Sequence, residues 1–277
     1  MTGTICPNCD TSLHGPYCST CGQHQGRYDQ AFSQLVSEGL GDLFRLDARG
    51  SNTLLSLLFR PGQLIVEFLA GARARFVSPV RLYLVASLLL FLLISIGPED
   101  RSEHVVEADH AALHDAIMEY IILDGIDGPL TQYAQEQIIK MMALGRSNPQ
   151  LLFDQYVDFL ATIMFFMIPI FAIFVALFYL GSRYFYKDHL IVCVYLQNFI
   201  YMAFSMLLVL GFFGGALDWI DYAIQLWIPV YIFISIRVVY RQSYFLTVSK
   251  YVILTFIYFS LFMPALLASF VWQATTF

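Results

Sequence analysis

Four cysteines near the N-terminus are the residues whose type and spacing most clearly predict chemistry. Cys6, Cys9, Cys18 and Cys21 follow a C-x2-C-x8-C-x2-C pattern. Each C-x2-C pair directs two thiolates towards one ion, and two such pairs give the closed tetrahedral set of a structural zinc site. We therefore predict bound Zn²⁺ and a zinc ribbon over residues 1–25. Two redox dithiols, disulfides or an iron site are the alternatives.

The elements that must carry this module are apolar. The chain has 277 residues, of which 58% are hydrophobic and 13% are charged. Soluble domains carry about 25% charged residues, so this composition excludes an ordinary water-soluble enzyme. The net charge of −6 argues against nucleic acid as a partner. We expect an all-α membrane protein.

Five apolar runs reach the length of about 20 helical residues that is needed to span a bilayer. We predict spans at about 79–96, 159–180, 190–213, 222–239 and 251–272. The predicted domains are the ribbon, interfacial helices over 26–78, and a five-span domain over 79–277. An acidic helical insert over 98–155 lies within that domain.

Residues 51–71 are predicted to form a helix, a break at residues 60–62, and a second helix from Gln63 to Ala70. Ser51, Asn52 and Thr53 are candidate N-caps for the first helix. Each half is too short to span hydrocarbon, so the pair lies in the interface or re-enters the bilayer.

Charge predicts the orientation. With an inside N-terminus, 12 of the 15 Lys and Arg residues fall on the inner side, and 14 of the 21 acidic residues fall on the outer side. The positive-inside rule then places the N-terminus in the cytosol and the C-terminus outside. A reducing cytosol also favours metal binding by the cysteines over disulfides.

Two further groups are candidate sites. Arg60, Arg73 and Arg75 combine guanidinium groups with backbone breaks, which suits a lipid headgroup or phosphate, or simple anchoring of the topology. Polar residues of the third span predict either a transport path or packing and capping contacts; they are Asp188, His189, Gln197 and Asn198.

Several segments together resemble a known family. Cys21-Gly22-Gln23 ends the cysteine module, residues 53–62 read TLLSLLFRPG, residues 71–79 read GARARFVSP, and residues 186–190 read YKDHL. This combination resembles the bacterial DUF3667 membrane family, with Phe76 and Asp188 where Tyr and Glu are expected. The resemblance covers most of the chain except 98–155, and it implies a zinc ribbon and a helical membrane domain without an established activity.

Three functions follow as hypotheses. The first is a non-enzymatic inner-membrane component that binds lipid and a protein partner or a second copy, and that organises or transports lipid or envelope material. The second is a small transporter or channel along the third span. The third is a membrane enzyme, for which the outer histidines His104, His110 and His114 would be the place to look, although the chain has no recognisable catalytic motif.

Overall fold

The computed structural model describes residues 5–24, 49–96, 149–212 and 217–275, and the side chains of most of these. Within these ranges the protein is mostly helical, with seven helices, two isolated antiparallel bridges and no longer strand. The helices are α1 (Arg49–Phe59), α2 (Gln63–Leu69), α3 (Pro79–Ile96), α4 (Pro149–Phe178), α5 (Tyr186–Gly211), α6 (Asp218–Tyr240) and α7 (Tyr244–Thr275). Residues 26–48 of the predicted interfacial region and most of the acidic insert, with its histidines, lie outside the described residues.

Among the described residues, five helices are long and apolar enough to cross a membrane, which confirms the predicted multi-pass architecture. The candidate spans are Pro79–Ile96, Phe159–Phe178, Tyr186–Gly211, Trp219–Tyr240 and Tyr244–Ala265. The predicted starts of the third and fifth spans were four and seven residues late. Polar residues lie in the first two turns of both helices, Lys187 and Asp188 in α5 and Thr247, Ser249 and Lys250 in α7, so the apolar runs begin later than the helices.

The chain divides into two compact units. One comprises Met1–Leu93 and Ile168–Tyr258, and the other comprises Ile94–Met167 and Phe259–Phe277. In the second unit Phe165 and Phe166 meet edge to face, with ring centroids 5.7 Å apart. The cysteine module and the candidate arginine and span sites all lie in the first unit.

Helices α1 and α2 pack against the membrane bundle of the first unit. Their buried residues join a core with α5 and α6 that includes Leu57, Leu64, Phe68, Tyr195 and Tyr231. The hydroxyl of Tyr231 donates to the carbonyl of Leu57, and the rings of Phe68 and Tyr195 meet edge to face. The helix pair therefore covers the ends of α5 and α6 through a buried face.

The predicted break between α1 and α2 is confirmed, but the predicted caps of α1 are wrong. Because α1 begins at Arg49, the three candidate residues lie inside it. Thr53 is fully buried, and its hydroxyl accepts a hydrogen bond from the amide of Val77 at 3.0 Å. The Thr53 hydroxyl therefore binds the backbone of a loop that is distant in sequence, and it does not cap α1.

Gly62 is required at the break for two reasons. Its φ of +73° lies in the left-handed region, and a Cβ built there would lie 2.8 Å from the carbonyl oxygen of Ser235. Only glycine allows the turn to approach the backbone of α6 so closely.

We therefore expect Gly62→Ala to lower the melting temperature of the detergent-solubilised protein. The left-handed conformation alone costs about 1–2 kcal/mol for a residue with a Cβ, and the overlap with α6 adds to this. The matched control is Gly50→Ala in α1, where a new Cβ meets nothing within 4 Å. Equal melting temperatures for the two variants would contradict the close packing of the break on α6.

Candidate metal centre and its contact with the entry loop

The four cysteines come together in one cluster. Their Sγ atoms all lie within 4.8 Å of one another, and none forms a disulfide. The Sγ atoms of Cys6 and Cys21 are 3.6 Å apart, and those of Cys9 and Cys18 are 3.4 Å apart. A tetrahedral ion with metal–sulfur bonds of about 2.3 Å requires its sulfurs about 3.8 Å apart. The cluster could therefore bind a metal ion.

The two halves of the module repeat one backbone turn. The amide of Cys6 donates to the carbonyl of Thr11, and the amide of Cys18 donates to that of Gln23, both at 2.9 Å. In each half the fourth residue after the first cysteine is left-handed, Asp10 with φ 57° and Gly22 with φ 71°. Glycine adopts this conformation readily and aspartate only occasionally, so the sequence signals the second turn more clearly than the first.

The protonation of the thiols fits a site that requires a cation. Burial raises the pKa of Cys6 to about 11, whereas hydrogen bonding with Thr11 lowers the pKa of Cys9 to about 6. Backbone hydrogen bonding from Cys21 lowers the pKa of Cys18. A bound cation would replace the proton that the Cys6 thiol keeps at neutral pH.

The cysteine module is held against the segment that leads into α3. We call residues 71–78 the entry loop. Gln23 donates from Nε2 to the carbonyl of Gly71 at 2.7 Å, and its Oε1 accepts from the amides of Arg73 at 3.1 Å and Ala74 at 3.0 Å. One side chain thus satisfies three backbone groups about fifty residues away.

The first half of the module contacts the same loop. The guanidinium of Arg75 donates to the carbonyl of Asn8 at 2.5 Å and to its side-chain oxygen at 3.4 Å. Gly71 has a φ of +106°, and its Cβ, if present, would lie 3.2 Å from the ring of Pro7. Both halves of the module therefore contact the entry loop directly.

The bundle holds the other end of the entry loop. Besides the bond from Val77 to Thr53, the hydroxyl of Tyr195 donates to the carbonyl of Val77 at 3.2 Å. The side-chain amide of Asn198 donates to the carbonyl of Pro79, the first residue of α3, at 3.1 Å. The loop is therefore fixed by the module on one side and by α1 and α5 on the other.

The three arginines of the predicted site make different contacts. Arg75 is committed to Asn8 and to an ion pair with Glu67 at 3.4 Å. The guanidinium of Arg73 lies over the Phe68 ring, 5.8 Å from its centroid, while Arg60 is exposed in the break between α1 and α2. Lipid or phosphate binding by this set stays a prediction.

The predicted polar residues of the third span lie on α5 in two places. Asp188 was predicted as a possible N-cap, but Phe185 is the N-cap of α5; Asp188 is the third helical residue and accepts from the amide of Phe185 at 2.9 Å. His189 is buried, and its Nδ1 is hydrogen-bonded to the hydroxyl of Tyr240 at 2.7 Å. Gln197 and Asn198 are buried about two turns further along the helix. These contacts favour packing and capping, and the transport path stays a prediction.

The comparison with known families identifies one region. Residues 47–91 match the family model DUF3667, described as a protein of unknown function. The matched residues comprise α1, α2, the entry loop and most of α3, which is the region that the cysteine module contacts. The resemblance stated from the sequence is confirmed for this region. No curated protein and no solved structure matches the chain.

Two contact residues were not identified as such from the sequence. Gln23 and Asn8 are polar, carry no charge and do not ligate a metal, so composition does not distinguish them. The only available signal was position: Asn8 lies inside the first C-x2-C pair, and Gln23 follows the last cysteine and glycine.

We expect Gln23→Ala to loosen the entry loop without removing a ligand from the cysteine cluster. The amides of Arg73 and Ala74 lose their acceptor, and one hydrogen bond contributes about 1 kcal/mol. Hydrogen exchange of these two amides should therefore accelerate roughly fivefold. The control is Gln225→Ala, since Gln225 is an exposed residue of α6 bonded to Asp221. Unchanged exchange at 73–74 would show that Gln23 does not hold the loop.

Proposed function

We propose that the protein is a non-enzymatic, multi-pass component of the bacterial inner membrane whose cysteine module binds a structural zinc ion. The zinc folds the module, and the folded module fixes the entry loop and the start of the first span. In this role the protein organises or moves lipid or envelope material, together with a protein partner or a second copy.

One observation carries the proposal: the residues beside the metal ligands are used to hold the chain's own entry loop. Gln23 and Asn8, each adjacent to a cysteine pair or inside it, account for five hydrogen bonds to residues 71–75. A four-thiolate set has no open coordination position for a substrate, which favours a structural metal over a catalytic one. Zinc is favoured over iron because it is the usual ion of such paired C-x2-C modules.

Charge supports a cytosolic position for the module. The ten described Lys and Arg residues all lie in or near the helix ends on the side of the module; they are Arg49, Arg60, Arg73, Arg75, Arg81, Arg183, Lys187, Arg237, Arg241 and Lys250. Asp218 and Asp221 begin α6 at its opposite end. By the positive-inside rule we place the N-terminus in the cytosol and the C-terminus outside.

A transporter is the second candidate function, and one observation favours it. Two buried oxygens of α5, Oδ1 of Asn198 and Oγ of Ser205, have no hydrogen-bond partner among the described residues. Unsatisfied polar groups inside a bundle are costly and often belong to a pathway. Asn198 also donates to Pro79, however, so its position is explained by the attachment of α3.

The proposed structural zinc is tested by comparing Cys18→Ala with Cys193→Ala. Both variants remove one buried thiol, but Cys193 lies alone in α5. We expect Cys18→Ala to lose the bound zinc and to accelerate hydrogen exchange throughout the entry loop, because the module no longer folds around an ion. Cys193→Ala should keep zinc and loop protection.

Two outcomes would contradict the proposal. If Cys18→Ala lost zinc but kept full protection of residues 71–78, the module would not fix the loop. If the wild-type protein purified without zinc, or with iron in its place, the structural zinc itself would be wrong.

A further inference from the structure

Four arginines lie on the last turns of α6 or on two segments that contact those turns. Arg237 and Arg241 belong to α6 itself, whose C-cap is Arg241. Arg60 lies two residues before Gly62, which contacts Ser235 and Val238 of the same helix. Arg183 precedes Tyr184, whose hydroxyl donates to the carbonyl of Val239 at 3.3 Å.

These arginines are not neutralised by the protein. All four are exposed. None forms an ion pair with a carboxylate in the described part of the chain, in contrast to Arg75 and its partner Glu67. The contacts of Arg183 and Arg237 are with the aromatic residues Tyr184 and Tyr244. The four guanidinium groups therefore present a surface of unbalanced positive charge.

Arg241 occupies a backbone position that favours glycine. Its φ is 51°, in the left-handed region, and its amide donates to the carbonyl of Arg237 to close the helix. A glycine at this C-cap would avoid the steric cost of the Cβ. An arginine held in this conformation indicates that its side chain has a role that glycine would not fulfil.

Exposed aromatic side chains accompany the arginines along the chain. Phe59 precedes Arg60, Phe185 lies two residues after Arg183, and Tyr244 and Phe245 follow Arg241 at the start of α7; their exposed fractions are 73%, 71%, 55% and 87%. Aromatic residues at span ends are typical of the membrane–water interface. The arginines therefore lie at the depth where lipid phosphates are found.

We propose that Arg60, Arg183, Arg237 and Arg241 form a binding site for the phosphate of an anionic membrane lipid at the end of α6. Guanidinium groups bind phosphate oxygens in a bidentate manner, and the adjacent aromatic rings contact the glycerol and upper acyl region. The site rests on the proposed membrane role, and it replaces Arg73 and Arg75 of the predicted set by three arginines distant in sequence.

The test compares two variants of equal charge change. R60Q/R183Q/R241Q removes three arginines of the proposed site. R101Q/K140Q/R146Q removes three cations from the acidic insert over 98–155. Native mass spectrometry of each protein, titrated with phosphatidylglycerol or phosphatidylcholine, measures lipid binding. Each cation near a membrane surface changes the affinity about fivefold, so the site variant should bind phosphatidylglycerol on the order of a hundredfold more weakly.

A single variant separates binding from folding. Arg241→Gly relieves the left-handed backbone, so its melting temperature should equal or exceed that of the wild type. Its affinity for phosphatidylglycerol should nevertheless fall about fivefold. Loss of binding with retained stability supports a lipid role for the side chain, and unchanged binding contradicts it.

Three results would overturn the site. Equal weakening in both triple variants would show that only net charge matters. Equal binding of the two lipids by the wild type, since both carry a phosphate, would show no preference for a net anionic headgroup. Stabilisation by inorganic phosphate without preference for phosphatidylglycerol would assign the arginines to a soluble phosphate. Zinc content, measured in the same samples, distinguishes failure of this site from failure of the proposed function.

Discussion

Four sulfur atoms within 4.8 Å of one another are the constraint on which the N-terminal part of the structure depends. Four thiolates at such distances repel one another strongly, and only a cation at their centre makes the arrangement favourable. The module has almost no other means of holding its shape, because the buried residues of its core are Cys6, Leu13 and Cys18. A metal ion bound by the cluster would therefore hold Asn8 and Gln23 in place.

A short series of contacts links the cysteine module to the membrane domain. The module holds the first residues of the entry loop, and Thr53, Tyr195 and Asn198 hold the last ones together with the start of α3. The same α1 and α2 that supply Thr53 also pack against α5 and α6. The family match at residues 47–91 includes α1, α2, the entry loop and most of α3, but not the contact residues of α5 and α6.

The coarse architecture could be predicted from the sequence because it depends on local signals. Apolar runs revealed the five spans, cysteine spacing revealed the cluster, and residues 60–62 revealed the break. Thr53 could not be assigned, since a hydroxyl near a helix start normally caps that helix and here binds Val77 instead. Arg75 was misleading for a similar reason: its carbonyl partner in Asn8 is brought close only by the folded module.

The arginines around α6 illustrate the same limit. Arg60, Arg183 and Arg241 are far apart in sequence, and each alone fits simple anchoring at a span end. Their convergence depends on Gly62 and Tyr184 contacting one helix, which no local pattern records. Long-range packing therefore determined which basic residues could act together.

The most direct test of the account is X-ray absorption spectroscopy at the zinc edge, combined with metal analysis of the full-length protein purified under reducing conditions. The account predicts one zinc per chain, surrounded by four sulfur atoms at about 2.3 Å. A metal-free protein with intact thiols, or a zinc ion with nitrogen or oxygen in its first coordination sphere, would contradict it.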